Sequence, residues 1–293
     1  MTSRHRPYLT RRSRDYPPLL AAIPDPPKRL YLRGEGSPAM LSRPAAAIVG
    51  TRSCSPYGAQ VARRLGRELA AAGATVISGL ARGIDAEAHR GALEAGGPTV
   101  AVLGCGIDRD YPRAHSALAR RVAEVGLLVS EYEPGIEPAP WRFPARNRII
   151  AGLAQATVIV EARAKSGALI TADFALEDGR DVFAVPGEIT SALSRGTNEL
   201  LRLGAAPLIE PVDVLAVLGL EEAPARHSLR LSTQASRVRE LLADRSASVD
   251  ELVARSGLAA DAVAAALVEL ELAGEAVCAE GVYRAQAASG CTV

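Results

Sequence analysis

The strongest constraint on the fold is a repeat of short apolar runs that begins at Ala45. The runs occupy residues 45–50, 75–79, 98–104, 126–131, 157–162, 181–187 and 206–209, and their lengths are typical of β-strands. Most of them are apolar without alternation, so they leave no face for water. Such strands are typical of a parallel sheet that helices cover on both faces.

Segments with helical periodicity separate these runs. They occupy residues 57–73, 85–96, 116–126, 148–155, 169–179 and 198–204, and most of them end at glycine, as helix C-termini often do. Alternating strands and helices with short connections are typical of a doubly wound sheet. We therefore predict an α/β fold over residues 41–220, with an extended Rossmann-like, doubly wound, mostly parallel sheet.

The segments that flank residues 41–220 differ in composition. Residues 1–40 are rich in Pro and Arg, and RLYLRGEG at 29–36 predicts an extra strand that joins the main sheet. Residues 221–233 lose periodicity and are expected to form a linker. Residues 234–286 show three short helical patterns and a hairpin, which predicts a small winged-helix-like domain, and residues 287–293 would be a tail.

Composition excludes several classes of protein. Cys54, Cys105, Cys278 and Cys291 form no CxxC or Cys/His pattern, so no metal site, disulfide framework or cofactor is expected. No apolar run approaches the roughly 18 residues of a membrane span, and MTSRHRPYLTRR is followed by no signal-peptide core. We therefore expect a soluble cytoplasmic protein without a membrane partner.

Positive charge is unevenly distributed, although the formal net charge is only +1. Residues 1–67 carry thirteen Lys or Arg against Asp15, Asp25 and Glu35, which suits a polyanionic partner. Solvated arginines in an arginine-rich chain are the alternative for most of them. Lysine occurs only at Lys28 and Lys165, so Lys165 is a notable choice in its loop.

Glycine and basic residues recur in the loops that follow the predicted strands. In an open parallel sheet these loops line the ligand crevice, because they leave the strand carboxyl ends and open the next helices. Glycine lets backbone amides approach an anion, and arginine can bind it with two parallel hydrogen bonds. The repetition along one edge predicts several phosphates in a row. The candidate residues are Gly50, Arg52, Gly79, Arg82, Arg146, Asn147, Arg148, Lys165, Ser166 and Gly167.

Several polar residues near these loops have a structural alternative. Asp85 is expected to cap the helix that follows it rather than to act in catalysis. His89 on that helix is expected to be packed or capping rather than a base or a ligand. Gly79 and Gly83 can serve a tight turn alone. A surface salt bridge is the alternative for Arg52.

The stretch FPARNR at 143–148 lies beside the only tryptophan of the chain. The alternative here is an N-capping Asn147 between solvated Arg146 and Arg148. An exposed Trp141, with Phe143 beside the same basic groups, can stack on an unpaired base. Burial under the loop is the more common fate of a lone tryptophan.

The sequence motifs of nucleotide-processing enzymes are incomplete in this chain. The sequence KSG at 165–167 resembles the end of a P-loop, but the upstream glycines of GxxxxGK[ST] are missing, which excludes that class of NTPase. GCG at 104–106 is only a fragment of GxGxxG, and GxSxG is absent. The four histidines belong to no motif with a nucleophile. The predicted site binds a ligand, and no catalytic residue is expected.

A set of motifs, in order and spacing, resembles the DNA-processing protein A (DprA, also called Smf) family over residues 16–220. The motifs are IVGTR at 48–52, YG at 57–58, SGLARGIDAEAH at 78–89, YP at 111–112, SEY at 130–132, FPARNRIIAGL at 143–153, EARAKSGALITA at 161–172 and VFAVPG at 182–187. The resemblance implies a protein that binds and protects single-stranded DNA and loads the recombinase RecA onto it during natural transformation. It also implies homodimers of an extended Rossmann domain without a catalytic step.

The resemblance also assigns roles by position. Arg52 of GTR, Arg146 and Arg148 of RNR, and Lys165 of KSG would contact phosphates. Arg113 joins them, because family members often carry a basic residue after YP. Many members have a helical domain ahead of the Rossmann-like unit, whereas residues 1–40 precede it here and are expected to be a truncated N-terminal extension.

The C-terminal module departs from a DNA-binding winged helix in its charge. Residues 257–281 contain no Lys or Arg and five acidic residues, Asp261, Glu269, Glu271, Glu275 and Glu280. A recognition helix with this charge would repel a DNA backbone. We therefore expect a protein-contact or regulatory element.

Two other functions stay open beside single-stranded DNA binding. One is a Rossmann-type nucleotide-processing enzyme similar to nucleoside-monophosphate phosphoribohydrolases. The sequence lacks the PGGxGT-type loop of such enzymes, which argues against this function. VPGEIT at 185–190 is the stretch most similar to that loop. The other is a winged-helix transcription regulator, which would require tight duplex binding by residues 234–285.

Overall fold

A computed structural model describes residues 8–220, 232–272, 276–279 and 281–285. The chain divides into two compact units, one over residues 1–223 and one over residues 224–293. The first seven residues, residues 221–231 of the predicted linker over 221–233 and the tail over 287–293 lie outside the described residues.

The described part of the larger unit contains a nine-stranded sheet in the order β1-β2-β6-β5-β4-β3-β7-β8-β9. Its seven parallel strands coincide with the seven apolar runs, which confirms the predicted mostly parallel sheet. RLYLRGEG supplies the extra strand, which pairs antiparallel with β6. The strands are β1 (Tyr8–Leu9), β2 (Leu30–Arg33), β3 (Ala45–Val49), β4 (Thr75–Ser78), β5 (Thr99–Val102), β6 (Leu127–Ser130), β7 (Ala156–Ile159), β8 (Asp181–Ala184) and β9 (Ala206–Pro207).

Helices cover both faces of this sheet, as the unbroken apolar strands predict. In β3, Ala45, Ala47 and Val49 pack into the core on one face, whereas Ala46 and Ile48 pack into the core on the other. The first face is covered by α1 (Pro18–Ala21), α5 (Arg142–Gly152), α6 (Gly167–Glu177) and α7 (Arg195–Arg202). The second is covered by α2 (Pro56–Ala71), α3 (Ile84–Glu94), α4 (Ser116–Val125) and α8 (Pro211–Val217).

Two glycines let α2 and α3 pack closely. A Cβ at Gly66 would lie 2.2 Å from the carbonyl oxygen of Ala88, and a Cβ at Gly91 would lie 2.0 Å from that of Arg63. Real Cβ atoms do not approach backbone so closely, so both positions require glycine at this helix separation. The contact fixes α2 and α3 side by side, and with them the two loops that precede these helices.

Helix α5 begins earlier than predicted. The periodicity placed its start at Arg148, but it begins at Arg142 and includes the whole FPARNR stretch. Pro144 lies in the first turn, where proline is tolerated because the amide there has no partner within the helix. Asn147 is therefore inside the helix, and the N-capping alternative is wrong.

The smaller unit has the three helices and the hairpin of a winged helix. They are α9 (Thr233–Asp244), α10 (Val249–Ser256), α11 (Ala260–Leu272), β11 (Ala276–Ala279) and β12 (Val282–Ala285). A further short strand, β10 (Ala247–Ser248), pairs with β12 and was missed by the sequence pattern. Val238, Leu252 and Leu267 belong to a hydrophobic core within this unit.

Candidate nucleic-acid interface

A cavity of about 280 Å³ opens at the carboxyl edge of the large sheet. It lies where the strand order reverses, because β4 to β6 extend to one side of β3 and β7 to β9 to the other. Such a switch point separates the loops and leaves a crevice between them. Seven predicted site residues line the cavity: Gly50, Arg52, Phe143, Arg146, Asn147, Ser166 and Gly167.

The loop that carries Arg52 is held against the end of β7. The backbone amide of Thr51 donates to the carbonyl oxygen of Glu161 over 2.8 Å, and the amide of Ser55 donates to the buried Glu161 carboxylate over 2.9 Å. A Cβ at Gly50 would lie 2.9 Å from the Glu161 carbonyl oxygen, so glycine permits this approach. Arg52 itself is exposed on the rim of the cavity.

Arg52 and two aromatic rings form a stack at this rim. The ring of Phe143 lies 5.2 Å from that of Tyr111 at an interplanar angle of 25°, which is stacked geometry. The guanidinium carbon of Arg52 lies 5.5 Å from the centroid of Phe143, within cation–π range. Tyr111 keeps 42% of its surface exposed. Tyr111 was not predicted as a site residue, although it stands in the YP motif.

Arg146 lines the cavity as a buried and hydrogen-bonded side chain. This position corrects its predicted role as an exposed phosphate contact. Only 4% of its surface is exposed, and its guanidinium donates to the carbonyl oxygens of Gly79 and Val102. Burial lowers the pKa of Arg146 to about 10, and nearby Asp85 opposes the shift. The side chain therefore joins α5 to the ends of β4 and β5.

Asp85 accepts hydrogen bonds from the loop that precedes α3, so its expected role as a cap of that helix is wrong. Its buried carboxylate accepts hydrogen bonds from the amides of Gly79 over 3.1 Å and Ala81 over 3.3 Å. Burial raises the pKa of Asp85, and the charge of Arg146 opposes this shift. A Cβ at Gly79 would lie 2.7 Å from the Asp85 carboxylate and 2.6 Å from the Arg146 guanidinium, so this glycine makes room for both groups.

Arg148 is bound by carboxylates, which corrects its predicted phosphate contact. Its guanidinium donates two hydrogen bonds to Glu131, over 2.8 and 2.7 Å, and one to Asp25 over 3.0 Å. The residue lines a different cleft of about 570 Å³, with Lys28 and Tyr132 on its wall. Both arginines of the RNR motif are therefore hydrogen-bonded to other groups of this chain.

Asn147 and Ser166 shape the loop that carries Lys165. The side-chain amide of Asn147 donates to the carbonyl oxygen of Gly167 over 3.0 Å, and the Ser166 hydroxyl accepts from the amide of Ala168 at the start of α6. Lys165 and Gly167 are exposed. Arg163, two residues before Lys165 in the same loop, is also exposed and was missed by the sequence analysis.

Four of the predicted cations are free within the described residues. The side chains of Arg52, Arg82, Arg113 and Lys165 are exposed and make no hydrogen bond or ion pair there. Each stands in a loop after a different parallel strand, namely β3, β4, β5 and β7. The carboxyl edge of the sheet therefore presents separate positive charges without carboxylate partners.

Trp141 is exposed, so the alternative of burial under the loop is wrong. It keeps 62% of its surface exposed and meets the ring of Tyr132 edge-on, with 6.5 Å between centroids. The guanidinium carbon of Arg142 lies 5.0 Å from the centroids of both rings. Arg142 and Tyr132 were not predicted as site residues.

The two described histidines near this edge are buried and hydrogen-bonded. His89 Nδ1 shares a hydrogen bond of 2.8 Å with the hydroxyl of Thr99, and His115 Nδ1 shares one of 2.9 Å with the carbonyl oxygen of Leu80. Burial lowers the pKa of His89 to about 3. His89 is a packed histidine, as expected.

Comparison with known proteins decides the family. The sequence profile of the family described as DNA recombination-mediator protein A matches residues 7–219, and that of the DprA winged helix domain matches residues 222–281. The chain belongs to the DprA family. The expected family, the Rossmann-like sheet and the winged-helix domain are thereby confirmed.

Relatives in several bacteria carry the family names. The DNA processing protein DprA of Streptococcus pneumoniae is 44% identical over 205 residues, which cover 69% of this chain and 70% of that protein. Protein Smf of Escherichia coli is 41% identical and covers 92% of this chain and 74% of that protein. A DprA described as putative in Mycobacterium tuberculosis is 44% identical, and the match covers 82% of this chain and 64% of that longer protein.

Two solved DprA structures share the fold. That of Streptococcus pneumoniae has a TM-score of 0.68 and 41% identity, with 73% of this chain and 74% of that chain covered. That of Helicobacter pylori has a TM-score of 0.66 and 33% identity, with 74% and 99% covered. The latter is described as revealing a unique single-stranded DNA binding mode of that protein.

Two features are absent from the described residues. No helix there is long and apolar enough to cross a membrane. Nor does any group of three or more His, Cys, Asp or Glu lie close enough together to hold a metal ion.

Proposed function

We propose that this protein binds single-stranded DNA without sequence preference along the carboxyl edge of its large sheet. The observation that carries the proposal is the set of exposed Arg52, Arg82, Arg113 and Lys165, whose side chains make no hydrogen bond or ion pair in the described part of the chain. Cations in successive loops match a chain of phosphates better than a single phosphate group. Since they lie in loops without base-reading elements, they select for backbone charge rather than sequence.

The preference for single strands rests on the aromatic stack. Base–aromatic stacking needs an unpaired base with an accessible face. Tyr111 and Phe143 lie beside Arg52 at the cavity rim, so a base stacked there keeps its phosphate within reach of a guanidinium. A base in a duplex is covered on both faces by its neighbours and cannot use this platform.

The experiment compares single-stranded and duplex oligonucleotides of equal length by fluorescence anisotropy at several salt concentrations. We expect tight single-strand binding, with a log–log salt slope of about −0.7 for each phosphate neutralised. Equal affinity for both forms would refute the preference. Affinity that does not change with salt would refute the electrostatic mode of binding.

We further propose that the protein protects this DNA and loads RecA onto it in the cytoplasm, during DNA processing or natural transformation. Membership of the recombination-mediator family supports this step. The assay measures RecA filament growth on single strands coated with single-strand binding protein. Filament growth that the protein does not accelerate would refute loading while leaving DNA binding intact.

We propose a homodimer through the Rossmann-like unit. Three exposed apolar residues near the edge strand β9 support it. Ile189 follows β8, Leu203 precedes β9 and Ile209 follows β9, and they are exposed by 90%, 71% and 68%. An apolar surface at an unpaired sheet edge typically marks an interface between protein chains.

The site acts without catalysis in this proposal. His89 and His115 are buried, so neither is placed to serve as a base at the cavity. The alternative enzyme would release a free base from nucleoside monophosphates, which chromatography detects directly. Release that depends on residues of the cavity would replace the proposed function with the enzymatic one.

For the smaller unit we propose a protein contact. Asp261 and Glu271 on α11 are exposed, and so is the apolar Val268 between them. An acidic and apolar surface suits a protein partner better than a DNA backbone. Duplex binding by a protein that retains only residues 224–293, if that unit folds alone, would overturn this assignment.

A further inference from the structure

A second aromatic cluster lies outside the cavity, formed by Tyr132, Trp141 and Arg142. Trp141 precedes α5, and Phe143 of the first cluster lies in the first turn of the same helix. Residues two positions apart in a helix point about 200° apart, because each residue turns the helix by about 100°. The two clusters therefore lie on different sides of the start of α5, about half a helical turn apart.

Two neighbouring side chains, Arg142 and Tyr132, contact the exposed indole of Trp141 and fix its position. Arg142 lies over both rings of the cluster and donates a hydrogen bond to the carbonyl oxygen of Glu137. Tyr132 meets the indole edge-on, so these contacts leave part of the indole surface open. An aromatic ring that is fixed before binding loses little conformational freedom when a ligand stacks on it.

We propose that Trp141 stacks on a second unpaired base of the DNA strand that occupies the cavity, with Arg142 backing the indole. This inference rests on the proposed function. It deepens that function by giving the site two base-stacking positions, one at Tyr111 and Phe143 and one at Trp141. Arg142 adds positive charge beside the second position, which suits the phosphate that joins the two bases.

The test uses the fact that Trp141 is the only tryptophan of the chain, so intrinsic indole fluorescence reports on this position alone. The full-length protein is titrated with oligo(dT) strands of increasing length. Anisotropy of the labelled DNA and fluorescence of Trp141 are followed in parallel. We expect quenching that saturates together with the anisotropy, and only with strands long enough to reach from the cavity to Trp141.

Two variants separate stacking from other effects. Trp141→Ala is expected to weaken binding of long strands by about 5- to 150-fold, the range for loss of one stacked base. Trp141→Phe is expected to retain most of the affinity. Very short strands that reach only the cavity are expected to bind all three proteins equally. Circular dichroism and thermal melting establish that both variants are folded.

The outcomes distinguish this inference from the proposed function. If the wild-type protein binds no single-stranded DNA, the proposed function fails. If it binds DNA without a change in Trp141 fluorescence, and Trp141→Ala binds equally well, the second stacking position is refuted and the proposed function stands. If folded Trp141→Phe and Trp141→Ala lose equal affinity, an aromatic stack is refuted as the role of this residue.

Discussion

Arg146 donates a hydrogen bond of 2.8 Å to the carbonyl oxygen of Gly79, and so connects α5 to the loop after β4. The same guanidinium bonds the carbonyl oxygen of Val102 at the end of β5. One side chain thus ties two neighbouring strand ends to the helix that carries Phe143 and Asn147. This buried cation lines the cavity and links α5 to the ends of β4 and β5.

We therefore expect Arg146→Met to act on stability before it acts on DNA binding. The change leaves Asp85 buried without its nearby cation and two carbonyl groups without a donor, which should cost about 3–5 kcal/mol in the free energy of unfolding. Urea denaturation followed by circular dichroism measures this loss. Arg67→Ala, on an exposed position of α2, should change it by no more than about 0.5 kcal/mol.

An Arg146→Met protein with wild-type stability and lost DNA affinity would show instead that Arg146 contacts the strand directly.

The exposed cations should act on DNA binding and leave stability unchanged. Arg52→Ala and Lys165→Ala each remove one exposed charge from the carboxyl edge of the sheet, so each should weaken single-strand binding by about 1.5–3 kcal/mol. Each should also reduce the magnitude of the log–log salt slope by about 0.7. Anisotropy titrations at several salt concentrations give both quantities.

Arg67→Ala is again the matched control, since it removes the same charge from a helix face. Arg67 lies eleven residues beyond the start of α2, which places it about 16 Å from the loop of Arg52. A loss of affinity in Arg67→Ala as large as that in Arg52→Ala would mean that net charge, and not this edge of the sheet, governs binding.

Arg148 should behave as a structural residue. Arg148→Gln breaks the paired hydrogen bonds to Glu131 and is expected to lower the free energy of unfolding by about 1.5–3 kcal/mol. A double-mutant cycle with Glu131→Gln should give a coupling energy of about 0.5–3 kcal/mol. The affinity of the folded variant for single-stranded DNA should stay within twofold of wild type, to about 0.4 kcal/mol. Additive effects in the cycle, together with a large loss of affinity, would restore Arg148 as a phosphate contact.

Much of the architecture follows from local sequence. Seven unbroken apolar runs predicted the parallel strands, because only a strand buried on both faces has no need of polar alternation. The start of α5 was missed for an equally local reason. Pro144 and the bulky residues around it predicted a loop before the helix. The first turn of a helix tolerates proline, and Pro144 lies in the first turn of α5.

The site was only partly predictable, because long-range partners decide which arginines are free. Arg52 and Lys165 follow strands, and their positions at the carboxyl edge of the sheet could be inferred from topology. The same reasoning predicted Arg148 as a phosphate contact. It is bound instead by Asp25 and Glu131, which lie 123 and 17 residues away in the sequence. Arg146 is bound by carbonyl groups 67 and 44 residues away. No spacing pattern around FPARNR shows these partners.

Acid should destabilise the protein through His89. Burial, with smaller contributions from Arg146 and His115, lowers the pKa of His89 from 6.5 to about 3. Below pH 6.5 the unfolded chain takes up a proton that the folded protein refuses, so stability falls as the pH falls. The loss should approach about 1.4 kcal/mol per pH unit between these two values.

His89→Asn should remove this part of the pH dependence, and urea denaturation of both proteins at several pH values between 3 and 6.5 measures the difference. The raised pKa of Asp85 acts in the opposite direction, because the folded state then holds a proton that the unfolded chain releases. Asp85 is present in both proteins, so its contribution cancels in the comparison. Identical pH profiles would show that the folded protein protonates His89 as readily as the unfolded chain does.

The apolar surface beside β9 gives the prediction for assembly. Ile209 is exposed in the single chain and lies directly after the edge strand. If two chains meet there, Ile209→Lys places a charge in a desolvated interface, which should weaken dimerisation by about 2 kcal/mol or more, over tenfold in Kd. Sedimentation equilibrium at several protein concentrations measures this constant.

Val125→Lys is the matched control, because Val125 is an exposed apolar residue at the end of α4, which packs on β5 and β6. These strands lie toward the opposite edge of the sheet from β9. We expect the wild-type protein and Val125→Lys to be dimers and Ile209→Lys to dissociate. A wild-type protein that stays monomeric at high concentration would refute dimerisation, and three equal dimerisation constants would exclude Ile209 from the interface.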